Sequence, residues 1–148
     1  MKEMSLKDIQ SISLEILKDV HAFCVKNNIK YTLQGGTLLG SVRHNGFIPW
    51  DDDIDIAMPR PDYEKFCRNY VSKKGYQLIC RQNNECYIMF ARVAEMEKTI
   101  AKCDILPWTN KSTGIWIDIF PLDGVEDDYA AAKAMCSEIK KIYDMCFS

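Results

Sequence analysis

Apolar residues recur at helical spacing near the start of the chain, where Leu6, Ile9, Ile16, Val20, Phe23 and Cys24 fall along one face. Ser5 precedes them as an N-cap with Asp8 three residues on, a capping-box arrangement, and Asn27-Asn28 marks the end of this predicted helix. Tyr31-Thr32-Leu33 reads as a short strand broken by Gly35-Gly36, residues 37–43 as a short helix, and His44-Asn45-Gly46 as a turn. Acid and apolar residues then alternate over 53–58, the period of a strand, which Pro59-Arg60-Pro61 stops. Pro61 is suited to open a helix that runs to about Ser72 and is closed off by Gly75. Beyond it, residues 76–80, 87–93 and 99–105 read as strands, with a turn at Asn83-Asn84. Residues 114–120 form the clearest strand of the second half, closed by Pro121. Asp127 or Asp128 caps a last helix through Ala131, Met135, Ile139 and Ile142. Helices and strands in this order predict an α+β or α/β domain with a mixed sheet.

Composition narrows the function classes. The 148 residues are 47% apolar and 11% aromatic, enough for one packed domain and incompatible with intrinsic disorder. The 19 basic and 21 acidic residues leave a net charge of -2, so a polycationic nucleic-acid binder is excluded. No apolar run approaches the ~20 residues of a membrane span, and the N-terminus lacks the apolar core of a signal peptide, so the expected location is the cytoplasm. Seven scattered cysteines, none in a C-x-x-C pair, read as reduced thiols serving as small apolar residues.

The chemistry concentrates in GGTLLGSVRHNGFIPWDDDID, residues 35–55. Asp53 and Asp55, two apart on the expected strand, leave it on one face, where each raises the cost of ionising the other. Such a pair suits a hard divalent cation, Mg²⁺ or Mn²⁺, with positions left for phosphate. Asp118, between Ile117 and Ile119 on the later strand, is a carboxylate in an apolar ladder that needs a partner, and the metal pair supplies one. An EF-hand fails on Ile56, where that loop requires glycine, and on Pro59 and Pro61. An exposed acidic turn is the other reading of three consecutive Asp; the alternating isoleucines weigh against it without removing it. Gly35-Gly36, seventeen residues before Asp53, admits a phosphate close to backbone N–H groups at the start of a helix. Arg43 is a candidate phosphate partner, and His44 reads as a solvated turn residue. Trp50, Trp108 and Trp116 offer faces for a base or a quaternary ammonium group, although core packing is the simpler role for each; Trp116 shares a face with Asp118.

Gly35-Gly36 before a helix, Asp53-Ile54-Asp55 and a third carboxylate on a later strand together resemble the polymerase-β-like nucleotidyltransferase superfamily. More closely, GGTLLGSVRHNGFIPWDDDIDIAMPRPDYEKF and GIWIDIFPLDGV, with Phe90-Ala91-Arg92-Val93 and Thr99 between them, resemble the LicD family, related to fukutin and fukutin-related protein. The likeness runs from the first helix to about Val125. It implies a nucleotidyltransferase-like mixed sheet flanked by helices, forming a single domain over 1–148 that lacks the family's C-terminal portion. It further implies transfer of phosphocholine or a similar phospho-alcohol from a CDP-linked donor such as CDP-choline to a hydroxyl of a cell-surface glycan, lipopolysaccharide or teichoic acid. In that reading Asp53 and Asp55 hold Mg²⁺ or Mn²⁺ on the diphosphate, and Asp118 completes the metal shell and orients or deprotonates the acceptor hydroxyl. Gly35, Gly36 and Thr37 hold the donor phosphates, with Arg43 assisting, while Asp51 and Asp52 serve the turn or support the ligands. Transfer of a nucleoside monophosphate from an NTP, or an inactive nucleotide-binding or interaction domain, are the alternatives.

Overall fold

Alternation along one strand, Trp116–Leu122, organises the molecule: Ile117 and Ile119 are fully buried while Trp116 and Asp118 are only partly so. The computed structural model describes residues 3–81, 89–101 and 113–147. In chain order the elements are α1 (Leu6–Lys26), β1 (Thr32–Leu33), α2 (Gly35–Arg43), β2 (Asp55–Pro59), α3 (Arg60–Asn69), β3 (Gln77–Ile79), β4 (Ala91–Ala94), β5 (Trp116–Leu122) and α4 (Tyr129–Phe147). The strands form one sheet in the order β1-β2-β5-β4-β3, with β2 and β5 parallel and the other neighbours antiparallel. This is the expected mixed α+β architecture. The turn at Asn83-Asn84, the start of the strand expected over 87–93, most of that expected over 99–105, and Trp108 lie outside the described residues.

Register divides the sheet into two chemically different faces. Ile56 is level with Ile119 and Ile119 with Ala91, so Ile56, Met58, Ile117, Ile119, Ala91 and Val93 share one face. Against it pack Ile16, Val20 and Cys24 of α1 and Tyr63, Phe66 and Cys67 of α3, closing the core. The i, i+4, i+8 spacing of the α1 residues is what keeps them on one stripe. The α1 capping box forms as its sequence predicts: Asp8 N–H donates to Ser5 Oγ at 3.3 Å and Ser5 N–H to Asp8 Oδ2 at 3.1 Å. At the other end Asn28 takes a φ of 51°, a left-handed turn that Asn tolerates.

Several boundaries differ from the sequence expectation, each for a tertiary reason. β2 begins at Asp55, not Asp53, because its ladders to β1 and β5 begin at Ile56 and Asp55. α3 stops at Asn69, where Tyr70 turns extended, stacks on Phe66 at 4.6 Å and donates its hydroxyl to Asp19 at 2.8 Å. Pro121 does not close β5. Asp118 N–H points to β2, donating to Ile54 O at 2.9 Å, so by alternation residue 121 faces the β4 side, beyond the last β4 partner at Ile119. A missing N–H costs nothing there. Cys24, Cys67 and Cys80 are buried as expected, and burial pushes the Cys24 thiol up to about 12; Cys136 is exposed. α4 is capped by Asp128, whose carboxylate accepts from Ala131 N–H at 2.8 Å, but Ile139, Ile142 and Tyr143 on it remain exposed. Among the described residues, no helix is long and apolar enough to cross a membrane.

Candidate functional site

The face opposite the core carries the charges. Asp55 on β2 is level with Asp118 on β5, and Asp118 is level with Arg92 on β4, giving a transverse row of acid, acid and base across three strands. Side chains of paired residues leave a sheet on the same side, so register alone gathers residues that are 26 to 63 positions apart in sequence.

Asp118 is tightly held. Arg92 Nε donates to its Oδ1 at 2.6 Å and Arg92 Nη2 to its Oδ2 at 3.4 Å, and the Trp116 indole Nε1–H donates to Oδ2 at 3.2 Å. The Arg92 guanidinium lies over the Trp116 ring at 4.4 Å from the centroid and over Phe90 at 5.7 Å. Arg92 is 8% exposed, so the pair is shielded from water. Burial raises the Asp118 carboxyl, and the bonds from Arg92 and Trp116 pull it only part of the way back.

A second group of acids precedes β2. Carboxylate oxygens of Asp51, Asp52 and Asp53 lie within 4.8 Å of one another. Asp51 is fixed from two sides: its N–H donates to Ile48 O at 3.0 Å, and Gln10 of α1 donates from Nε2 to its carbonyl at 2.7 Å. Burial, then repulsion from Asp51 and Asp52, raises Asp53. Burial followed by repulsion from Asp53, Asp118 and Asp51 pushes Asp55 from 3.8 up to about 6. Crowded, partly desolvated carboxylates at the end of a rigid strand fit a hard divalent cation, which would replace their mutual repulsion with shared attraction.

α2 supplies the third component. Gly35 has a φ of +55°, and a Cβ there would stand 3.3 Å from Asp55 Oδ2; a Cβ at Gly36 would stand 2.5 Å from Asp51 Oδ2. Glycine at both positions therefore lets the start of α2 approach the acids. Thr37 Oγ1 accepts from Asp55 N–H at 2.9 Å, and Gln34 N–H donates to Asp55 O at 3.0 Å, so the first turn of α2 is stitched to the first residue of β2.

Gly35, Gly36, Thr37, Asp51, Asp53, Asp55 and Asp118 thus converge, although Asp53 stands in the loop before β2 and not on the strand. Arg43 is exposed in the last turn of α2, about 12 Å of helix rise from Gly35, and is not gathered with them. Trp50 is 77% exposed and forms no part of the core. Trp116, by contrast, belongs to the site through its bond to Asp118. Sequence reading gave no role to Arg92 or Gln10. A cation flanked by Phe90, Ala91 and Val93 was the available signal for Arg92, since a base in an apolar strand requires an acid across the ladder; nothing comparable marks Gln10.

The family model described as LicD/FKTN/FKRP, nucleotidyltransferase domain, matches residues 28–143. The lipopolysaccharide cholinephosphotransferase LicD of Haemophilus influenzae is 35% identical over 131 residues, covering 86% of this chain and 48% of that protein. An uncharacterized protein of Rickettsia typhi is 38% identical over 92 residues, 60% of this chain and 29% of its own length. The human ribitol 5-phosphate transferase FKRP is 50% identical over 30 residues, 20% of this chain and 6% of that protein. The chain therefore spans about half the length of the cholinephosphotransferase it matches.

Proposed function

The chain belongs to the LicD/FKTN/FKRP nucleotidyltransferase-domain family, and on that premise we propose that it serves transfer of a phospho-alcohol, phosphocholine first among them, from a CDP-linked donor to a glycan hydroxyl. The observation that carries the reading is the meeting of Gly35-Gly36, the Asp51–Asp53 acids and the level pair Asp55/Asp118 at one end of β2.

In the proposed reaction the acceptor oxygen attacks the donor phosphorus bearing the alcohol. The bond from that phosphorus to the bridging oxygen breaks, CMP leaves with the electron pair, and the hydroxyl proton passes to a base. Positioning and charge neutralisation dominate such transfers. Asp53 and Asp55 hold the divalent cation, Mg²⁺ or Mn²⁺, which when bound offsets the charge of the diphosphate. Gly35, Gly36 and Thr37 present backbone N–H groups to the donor phosphates at the start of α2. Asp118, oriented by Arg92 and Trp116, receives or steers the acceptor hydroxyl.

Thermal unfolding with Mg²⁺ tests the donor class: CDP-choline should raise the midpoint more than ATP, and turnover should release CMP without pyrophosphate. The family description favours one second reading, transfer of a nucleoside monophosphate from an NTP. A shift with ATP and none with CTP or CDP-linked compounds would replace the first reading with that one.

A further inference from the structure

The loop that carries the acids lies along the first two turns of α2. A Cβ at Gly40 would meet Gly46 O at 2.5 Å and Ile48 N at 2.9 Å. One turn earlier, a Cβ at Gly36 would meet Asp51, at 2.5 Å from Oδ2, 3.4 Å from Cγ and 3.7 Å from Oδ1. The Asp51 carboxyl group therefore rests on the opening turn of the helix. Its backbone cannot retreat freely, since Asp51 N–H donates to Ile48 O and its carbonyl accepts from Gln10 Nε2. α2 has no acidic residue in its own first turn, and its N-cap, Gln34, makes no side-chain bond there. A helix N-terminus offers roughly half a positive charge, and one carboxylate beside it more than cancels that.

We propose that Asp51 is a specificity-determining residue, a fixed negative charge beside the opening turn of α2 that favours a diphosphate-linked donor over a nucleoside triphosphate. The inference rests on the proposed function for the place of the phosphates, and on the seating of Asp51 against Gly36 for the discrimination. On that reading Asp53 and Asp55 spend their charge on the cation, whereas Asp51 faces whatever phosphate charge the cation leaves over. A CDP-linked alcohol brings about two ionised phosphate oxygens and a nucleoside triphosphate about four, so repulsion from Asp51 falls about twice as heavily on the triphosphate. Asp52 carries the same charge, but the atoms nearest to Gly35 and Gly36 belong to Asp55 and Asp51. Distance and salt screening therefore weaken its influence on the turn.

The test compares the dissociation constants of CDP-choline and CTP by calorimetry in excess Mg²⁺, with folding checked by thermal unfolding. Both compounds use the same cation, so its own affinity cancels in their ratio. Asp51→Asn keeps the shape and removes the charge; it should shift the ratio toward CTP about fivefold at physiological ionic strength. Asp52→Asn removes an equal charge farther from the turn and should shift it by less than about twofold. Gln10→Met leaves every charge in place and frees the loop. It should shift the ratio the same way by a smaller factor, and it serves if Asp51→Asn fails to fold. An unchanged ratio in folded Asp51→Asn (or in Gln10→Met, where Asp51→Asn does not fold) would overturn the assignment while leaving the CDP-linked donor standing. So would an equal shift in Asp52→Asn, or loss of both compounds by folded Asp51→Asn. A wild type that does not bind CDP-choline would overturn both.

Discussion

The two faces of the sheet are built from the same strands yet obey opposite rules. On the core face Ile56, Ile117, Ile119 and Val93 are each fully buried within a cluster of apolar and aromatic side chains. On the other face, one residue away in each strand, Asp55, Asp118 and Arg92 stand in a row in which burial works against the ionised acids. The first face gains free energy from losing water, whereas the second spends some of it to keep acids together, a cost that on the proposed reading a cation and a diphosphate would offset. A period of two is therefore enough to separate the residues that make the domain stable from those that give it a task.

The largest expected effect lies on the acidic face. Asp53→Ala or Asp55→Ala removes a charged ligand from a small set and should abolish divalent-cation binding; unchanged affinity by calorimetry in both would refute the assignment. Asp118→Asn should lower turnover by about 10²-fold or more, with donor affinity falling only modestly because Asp53 and Asp55 remain. Near-wild-type turnover in that variant would remove Asp118 from the chemistry.

The core face should respond the other way round. Ile117→Ala, next to Asp118 in sequence but on the opposite face, should cost about 2–5 kcal/mol of stability in denaturant unfolding. Cation affinity of the folded fraction should be unaltered. A loss of affinity comparable to that of Asp55→Ala would mean that the two faces are coupled.

The mildest test is pH. Burial and the neighbouring acids push Asp55 from 3.8 up to about 6 in the folded protein, so between those values the folded state should bind more protons than the unfolded state. The sign follows: without metal, the contribution of Asp55 to stability is full below about pH 4 and is lost as pH rises through 6, with Asp53 and Asp118 acting in the same direction. Asp55→Asn should flatten that slope in metal-free thermal unfolding, and Mn²⁺ affinity of the wild type should rise across the same window. A slope unchanged by Asp55→Asn would show that its carboxyl is not the group that titrates there.

What the sequence disclosed and what it withheld divide along the distance of the interactions. Local signals held: Ser5 with Asp8 caps α1, Asn28 ends it, and Asp128 caps α4. The spacing of Asp53 and Asp55 and the glycine pair located the acidic end of β2, because those residues lie within one short stretch. Register is not local. That β5 lies beside β2 with Asp118 level with Asp55, and that β4 brings Arg92 level with Asp118, depends on which strands become neighbours across 26 to 63 residues of chain. The same blindness made Pro121 look like a strand end, since its tolerance depends on β4 having already stopped. Trp50 misled for a different reason: indole usually finds cover, and here the loop before β2 leaves it 77% exposed.

The stitching of α2 to β2 bears on the entropy of ligand capture. Asp55 gives its N–H to Thr37 Oγ1 and its carbonyl to Gln34 N–H, so both backbone groups of that residue are spoken for by the turn that carries the glycines. The first turn of α2 and the backbone of Asp55 are thereby tied together by two hydrogen bonds. On the proposed reading, a donor with its cation would meet a turn already ordered by folding, and little ordering would remain to be set against affinity. In hydrogen exchange the Asp55 amide should accordingly be protected before any ligand is added, opening with the sheet and not with the loop in front of it.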